Sequence, residues 1–396
     1  MNDKKIQKEL GQFFTPTNVA TLVTRFVGES VSDSIDLAAG FGDLLTAVLS
    51  NHKNASVSAL DIDSLSISKL NQLFPNGDII KANALKLSRT NQKRVREGGF
   101  DLAVGNPPFN RQQASSWTLK VIRDELDLDC TKYSSVRAEV AFLALSLLAT
   151  KTNGYVSLIL PKTMAAGESW QWLRRVLLKK HSIIAVASLP ASVFQNTEVE
   201  TCVLTLKKNR PTTSKIQLLD CDKNGNEISS VWISPKDAIY RLDHDYHSWR
   251  LRHTHGEYET LAQAGIQVVR GNIHSKKARD MGIEIFHTSS FNKLNQGMAY
   301  FPELPLELSS SLVSVSKDDI LIPRIGRNLN HLAKVASGQS VISDCVFGLR
   351  APKERIDDLH KSLESEQTKG WIKVHTSGAC AKLISKSNLL NMPLMK

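Results

Sequence analysis

Cysteine is scarce and scattered in this 396-residue chain: Cys130, Cys202, Cys221, Cys345 and Cys380, with no Cys-x-x-Cys pair. An odd number at such spacing argues against both a disulfide framework and a zinc site, so the thiols read as reduced and structural. No apolar run approaches a membrane span, and Met1-Asn2-Asp3-Lys4-Lys5 leads into no signal core, so a cytoplasmic protein without a membrane partner is expected. The C-terminal part shows no internal repeat and no low-complexity tract, and the chain carries no Asp…Glu-x-Lys nuclease signature. The dinucleotide pattern Gly-x-Gly-x-x-Gly is incomplete, because Leu45 stands where its third glycine would be; that argues against a nicotinamide enzyme. No metal is expected either. His244, His247, His253 and His255 fall close together, but their acidic and aromatic neighbours read as a solvated connector.

Acidic residues are outnumbered, 39 against 50 Lys and Arg, for a net charge of +11 spread over both halves of the chain. A polyanion such as nucleic acid is a natural partner for that excess. At this length two domains are the default.

Over the first two hundred residues, strands alternate with helices. Strand-like runs occupy 34–38, 55–60, 78–82, 100–104, 154–161, 182–187 and 201–206, with an apolar helix at 139–148. The short spacing between the last two strands fits an antiparallel pair at a sheet edge. The pattern predicts a doubly wound, mostly parallel seven-stranded α/β sheet. Gly40, Gly42, Asp61, Asn83 and Asn106 all fall just past strand carboxyl ends, the rim where such sheets bind ligands. Gly40 and Gly42 let backbone approach a ligand, Asp61 stands where ribose hydroxyls are bound, and Asp63 is placed to cap the next helix. Thr15 or Thr17 is expected to cap a helix over 19–27. The alternation stops after Arg210-Pro211-Thr212-Thr213-Ser214. Domains are accordingly expected at 1–212 and 251–396, joined by a connector over 213–250, the second a smaller mixed α/β domain.

The most informative stretch is Phe100-Asp101-Leu102-Ala103-Val104-Gly105-Asn106-Pro107-Pro108-Phe109. Its apolar run suits a strand covered on both faces, and Pro107 and Pro108 must end it, since neither can donate a backbone hydrogen bond. An amide, two stiff peptides and an aromatic ring emerge there, a set able to grip a flat molecule bearing an amino group; Asn-Pro is also ordinary turn chemistry.

In this order the motifs resemble those of N(6)-adenine DNA methyltransferases of restriction–modification systems. Gly11-Gln12-Phe13-Phe14-Thr15-Pro16 resembles that family's N-terminal cofactor motif, Asp36-Leu37-Ala38-Ala39-Gly40-Phe41-Gly42 its glycine loop, Asp61 its ribose-binding acid, and Asn106-Pro107-Pro108-Phe109 its catalytic motif. The chain departs from the pattern at Leu37, where proline is usual, and at Asn83, where an aspartate toward the cofactor's adenine is usual. Val269-Arg270-Gly271, His287-Thr288, 320–326 and 343–346 resemble target-recognition segments of type I specificity subunits.

The resemblance implies S-adenosylmethionine as cofactor, held by Phe13, Thr15, Asp36, Gly40, Gly42, Asp61 and Asn83. It implies double-stranded DNA as substrate, with a flipped adenine held by Asn106 and Pro107 and stacked on Phe109 and Phe194. Arg270, Lys276, Lys277, Arg324 and Arg327 would contact DNA from the second domain. A separately encoded restriction endonuclease or specificity subunit is a candidate partner. Alternatives are an RNA methyltransferase with an accessory domain and a DNA-binding modification or specificity subunit, since similar Asn-Pro-Pro-aromatic turns serve methylation of guanine in RNA and glutamine in proteins.

Overall fold

The structure, a computed structural model, describes residues 15–28, 30–194, 199–253, 258–305, 311–378 and 381–394. Phe13 and His255 lie outside the described residues. The chain divides into two units, Met1–Ser248 and Trp249–Lys396. No helix among the described residues is long and apolar enough to cross a membrane.

The first unit is built on one sheet: β1 (Asp33–Asp36), β2 (Ser56–Asp61), β3 (Asp78–Lys81), β4 (Phe100–Gly105), β5 (Thr150–Pro161), β6 (Ser182–Leu189), β7 (Thr201–Lys207), β8 (Ile216–Cys221) and β9 (Glu227–Ile233), in the order β9-β8-β6-β7-β5-β4-β1-β2-β3. Only β7 and β9 run against the rest. The mostly parallel α/β class is as expected, but among the described residues the sheet has nine strands rather than seven. The region 213–250, expected as a connector, supplies the two additional strands. The polar, half-exposed residues of β9 hid its alternation, and the expected edge pair β6–β7 lies inside the sheet because β8 pairs with β6. His244 and His247, expected to be solvated, are buried with this region.

β4 is buried along its whole length. Leu102 and Val104 enter the apolar layer on one face of the sheet and Ala103 the layer on the other, as the period of two requires. Helix α1 (Asp43–Asn51) follows β1 and α2 (Ser64–Leu73) follows β2, where Asp63 accepts the Ser66 N–H at 2.9 Å, the cap expected of it. Helix α3 (Ala138–Ala149) is apolar except at Glu139 and Ser146 and is buried at all but one position. The helix expected over 19–27 is a single turn, Thr17–Ala20, continued by a 3-10 turn, Thr21–Val23. Its N-cap position is Pro16, so neither Thr15 nor Thr17 caps it.

The second unit is mixed. A five-stranded sheet, β10 (Gln267–Arg270), β17 (Val346–Arg350), β14 (Ile320–Pro323), β15 (Ala333–Ser337) and β12 (Met298–Tyr300), stands with a three-stranded one, β11 (Ile285–Phe286), β16 (Gln339–Ile342) and β13 (Ser314–Ser316). Phe286, Val315, Leu321, Val335, Ile342 and Val346 share one core that draws on both sheets.

Candidate active site

The sheet order β4-β1-β2-β3 sets the expected ligand residues side by side. Asp36 ends β1, Asp61 ends β2, Asn106 follows the last residue of β4, and Asn83 lies two residues past β3. Thr15, Asp36, Ala38, Ala39, Gly40, Phe41, Asp43, Leu44 and Asn106 line one cleft at this rim.

The glycine loop owes its shape to two left-handed residues with different tasks. Gly42 (φ +87°) precedes α1, and a Cβ there would stand 2.8 Å from Phe74 and 3.0 Å from Leu70. Gly40 (φ +54°) has nothing within 4 Å of a built Cβ, so its missing side chain leaves the cleft open. Gly42→Ala should therefore lower unfolding stability by roughly 1–3 kcal/mol through strain and crowding. Gly40→Ala should cost about 1 kcal/mol yet weaken cofactor binding more than Gly42→Ala does. Urea melts and ligand titration of both variants check the division.

Three carboxyls crowd the loop. Asp36, 2% exposed, has its pKa pushed up to about 7 by burial, against the Ala38 N–H that donates to it at 2.9 Å, and Asp61 adds repulsion. Asp61 is also raised, first by burial, although the N–H groups of Gly40 and Asp63 each donate to one of its oxygens at 2.8 Å. Through the Gly40 bond, Asp61 braces the loop from β2. Asp43 is raised by burial, opposed by the Lys69 ammonium and by the Thr15 backbone N–H. Sequence reasoning passed over Asp43; its signal was an acid in the first turn of the helix behind the glycine loop. Lys69 in turn lies 4.0 Å from the Phe41 ring centre.

Asn106 Nδ2 donates to Thr15 Oγ1 at 3.2 Å across 91 residues of sequence. Thr15 is thus held from two sides, by Asp43 through its backbone and by Asn106 through its hydroxyl. With its nitrogen turned to Thr15, the amide carries its oxygen away from it. Pro107 is buried, and Phe109 is partly buried against the apolar layer that also contains Phe194. Phe194, expected as a second aromatic wall, is 3% exposed and shows no open face for a base. Asn83 Oδ1 accepts the Leu85 N–H at 2.9 Å, which caps a 3-10 turn and occupies part of the oxygen's acceptor capacity.

In the second unit, Arg270 and Arg324 come together: the Nε of each donates to the Asp344 carbonyl, at 3.3 and 2.7 Å. Lys276 and Lys277 are exposed on a short helix, Ser275–Asp280, and Arg327 is exposed beyond β14. Among the described residues, Asp220, His244 and Asp245 bring ligand-type atoms within 4.8 Å of one another, and Lys162 already supplies positive charge to Asp245 at 2.9 Å.

A family model described as N-6 DNA Methylase matches residues 1–270. The chain belongs to the N-6 DNA methylase family. The methylase subunit of the type I restriction enzyme MpnII from Mycoplasma pneumoniae is 28% identical over 257 residues, covering 60% of this chain and 47% of that protein. The type II methyltransferase M.PstI from Providencia stuartii is 23% identical over 313 residues, covering 70% and 61%. The chain spans about half the length of the curated relatives it matches. The crystal structure of the type IIG restriction endonuclease BpuSI superimposes with a TM-score of 0.50 at 14% identity, over 99% of this chain and 58% of that one, a likeness of fold. In this N-6 DNA methylase, the matched segment contains the whole rim and ends with β10 of the second unit.

Proposed function

We infer that this N-6 DNA methylase transfers a methyl group from S-adenosylmethionine to the exocyclic amino group of adenine at a specific site in double-stranded DNA, within a restriction–modification system. The single observation that supports this best is the Asn106–Thr15 bond, which joins the end of β4 to the cleft that Asp36 and Gly40 line. The residues suit the cofactor. The open space over Gly40 admits it, and the crowded carboxyls of Asp36, Asp43 and Asp61 favour a cationic ligand. Asp61 retains acceptor capacity for ribose hydroxyls beyond its backbone bonds, and Asn83 retains one lone pair for the cofactor's adenine.

When bound, S-adenosylmethionine supplies an electrophilic methyl group on a sulfonium. The target adenine is swung out of the duplex, because its amino nitrogen is not reachable in the stack. Asn106 Oδ1 and the Pro107 carbonyl each accept one amino hydrogen, which orients the nitrogen lone pair; the effect is positional and electrostatic. Pro108 stiffens the turn. Phe109 stacks on the extruded ring, a contact typically worth about 1–3 kcal/mol, and Phe194 supports the same apolar layer from within. The second unit reads the DNA site, with Arg270, Lys276, Lys277, Arg324 and Arg327 on its surface. The chain acts in the cytoplasm, with a specificity subunit or a separate endonuclease as candidate partner.

Radiolabelled methyl transfer to unmodified genomic DNA, with total RNA as the competing acceptor, tests the assignment. Label should appear in DNA as N6-methyladenine. Label in RNA alone, or cofactor binding without transfer to any DNA, overturns it.

A further inference from the structure

Directly after the Asn-Pro-Pro-Phe turn the chain forms a two-stranded ribbon that the mechanism above leaves unused. Arg111–Gln112 pairs antiparallel with Val136–Arg137, and the register sets Arg111 directly opposite Arg137. The Ala138 N–H closes the ribbon on the Asn110 carbonyl at 2.9 Å. Arg111 is five residues past Asn106, so the ribbon starts within about 17 Å of the amide even if the chain between is fully extended.

Like charges directly opposite one another on paired strands are destabilising. A ribbon two residues wide gains little from holding such a pair, yet both side chains are anchored. Arg111 Nε donates to Ser135 Oγ at 3.1 Å, and its terminal nitrogen to the Ser135 carbonyl. Arg137 donates to the buried Glu139 at 3.2 Å and lies over the Trp170 ring at 5.3 Å. Even so, the Arg137 side chain remains 53% exposed. Lys132 and Tyr133, the latter at 61%, are exposed in the loop that returns to Val136. The buried Glu139 feels both cations, Arg137 through the hydrogen bond and Arg111 through its charge, but one carboxyl offsets at most one of the two guanidiniums, and the ribbon keeps a net positive charge.

We propose that this ribbon is a phosphate clamp, in which Arg111 and Arg137 hold the phosphodiester flanking the adenine delivered to Asn106; the assignment rests on the DNA-methylation reading. An anion between the two guanidiniums turns their repulsion into attraction, and beyond the contacts to Ser135 and Glu139 each guanidinium, with five N–H donors, keeps others to meet phosphate oxygens. A neutral base edge would leave the repulsion in place. The pair therefore acts as a positioning device that holds the strand equally before and after the base leaves the stack, a uniform contribution to binding.

Arg111→Ala is the cleaner test, since Arg111 does not hydrogen-bond Glu139. It should weaken binding of every labelled duplex about tenfold whatever the sequence, and lower the slope of log affinity against log salt by about one. Cofactor affinity should not change, and turnover at saturating duplex should stay within about threefold. Arg111→Lys should restore the salt slope and part of the affinity. A wild type that methylates DNA beside an Arg111→Ala variant with unchanged slope and affinity overturns the clamp alone. Loss of preference at one base pair with the slope retained overturns it too, in favour of base reading. A folded wild type that transfers no methyl group to any duplex overturns the methylation reading, and the clamp with it.

Discussion

Asn106→Ala should reduce methyl transfer by roughly 10²–10³-fold, the usual consequence of removing one preorganised hydrogen-bonding group from a reaction centre. The fold should tolerate the change. Asn106 stands just beyond β4, and the substitution gives up the 3.2 Å bond to Thr15, a loss of about 0.5–1.5 kcal/mol. β4 keeps its pairing with β1 and β5, which does not involve the side chain at 106. Cofactor affinity should fall by no more than about tenfold, because Asp36, Asp61 and Gly40 remain in place and only the Thr15 anchor is loosened. Single-turnover transfer measured beside calorimetric cofactor binding separates the effects. A variant with wild-type turnover would remove Asn106 from the mechanism, whereas equal losses in binding and turnover would make it a cofactor ligand instead.

What was legible in the sequence follows from how local the causes are. β4 could be bounded to within a residue because an apolar run and two prolines are both local signals. Asp63 could be read as a cap because its partner, Ser66, is three residues away. The clasp between Thr15 and Asn106 was not legible, since it depends on the sheet bringing together residues 91 apart. The same holds for Asp43, whose bond from Thr15 exists only once the segment before Thr17–Ala20 is folded over α1. β8 and β9 were missed for another reason. β9 carries serines and exposed Ile228 and Trp232, so its alternation lacks the contrast that marks a half-buried strand. The acidic and aromatic neighbours of His244 and His247 suggest a solvated connector, but both side chains are buried. The burial of Phe194 was equally hidden, since an aromatic residue after a strand looks the same whether its ring faces a cleft or the core.

Asp36 should impose a pH dependence on cofactor binding that its own substitution removes. Its carboxyl, 2% exposed and ordinarily titrating near 3.8, is pushed up to about 7 by burial. The folded, ligand-free protein therefore holds a proton that the unfolded chain has given up. That contribution stabilises the fold at low pH and is lost as pH rises through about 7, a change on the order of 4 kcal/mol. A cationic ligand reverses the balance, because it pairs with the ionised form. Affinity should then rise about tenfold per pH unit from 5 to 7 and level off above 8, with a proton released on binding in the lower range. Asp61 and Asp43 are also raised, each first by burial, with the Lys69 ammonium opposing the shift of Asp43. Asp36→Asn isolates the principal group: its amide oxygen can still accept the Ala38 N–H, but the charge is gone. The variant should be more stable than wild type at pH 8, bind the cofactor at least tenfold more weakly there, and lose most of the pH slope. Titrations across pH 5–8 in two buffers of different ionisation enthalpy measure the affinity and the proton release together. An affinity flat across that range, with no proton released, would mean that Asp36 does not meet the ligand's cation and that its buried carboxyl serves only to hold the turn at Ala38.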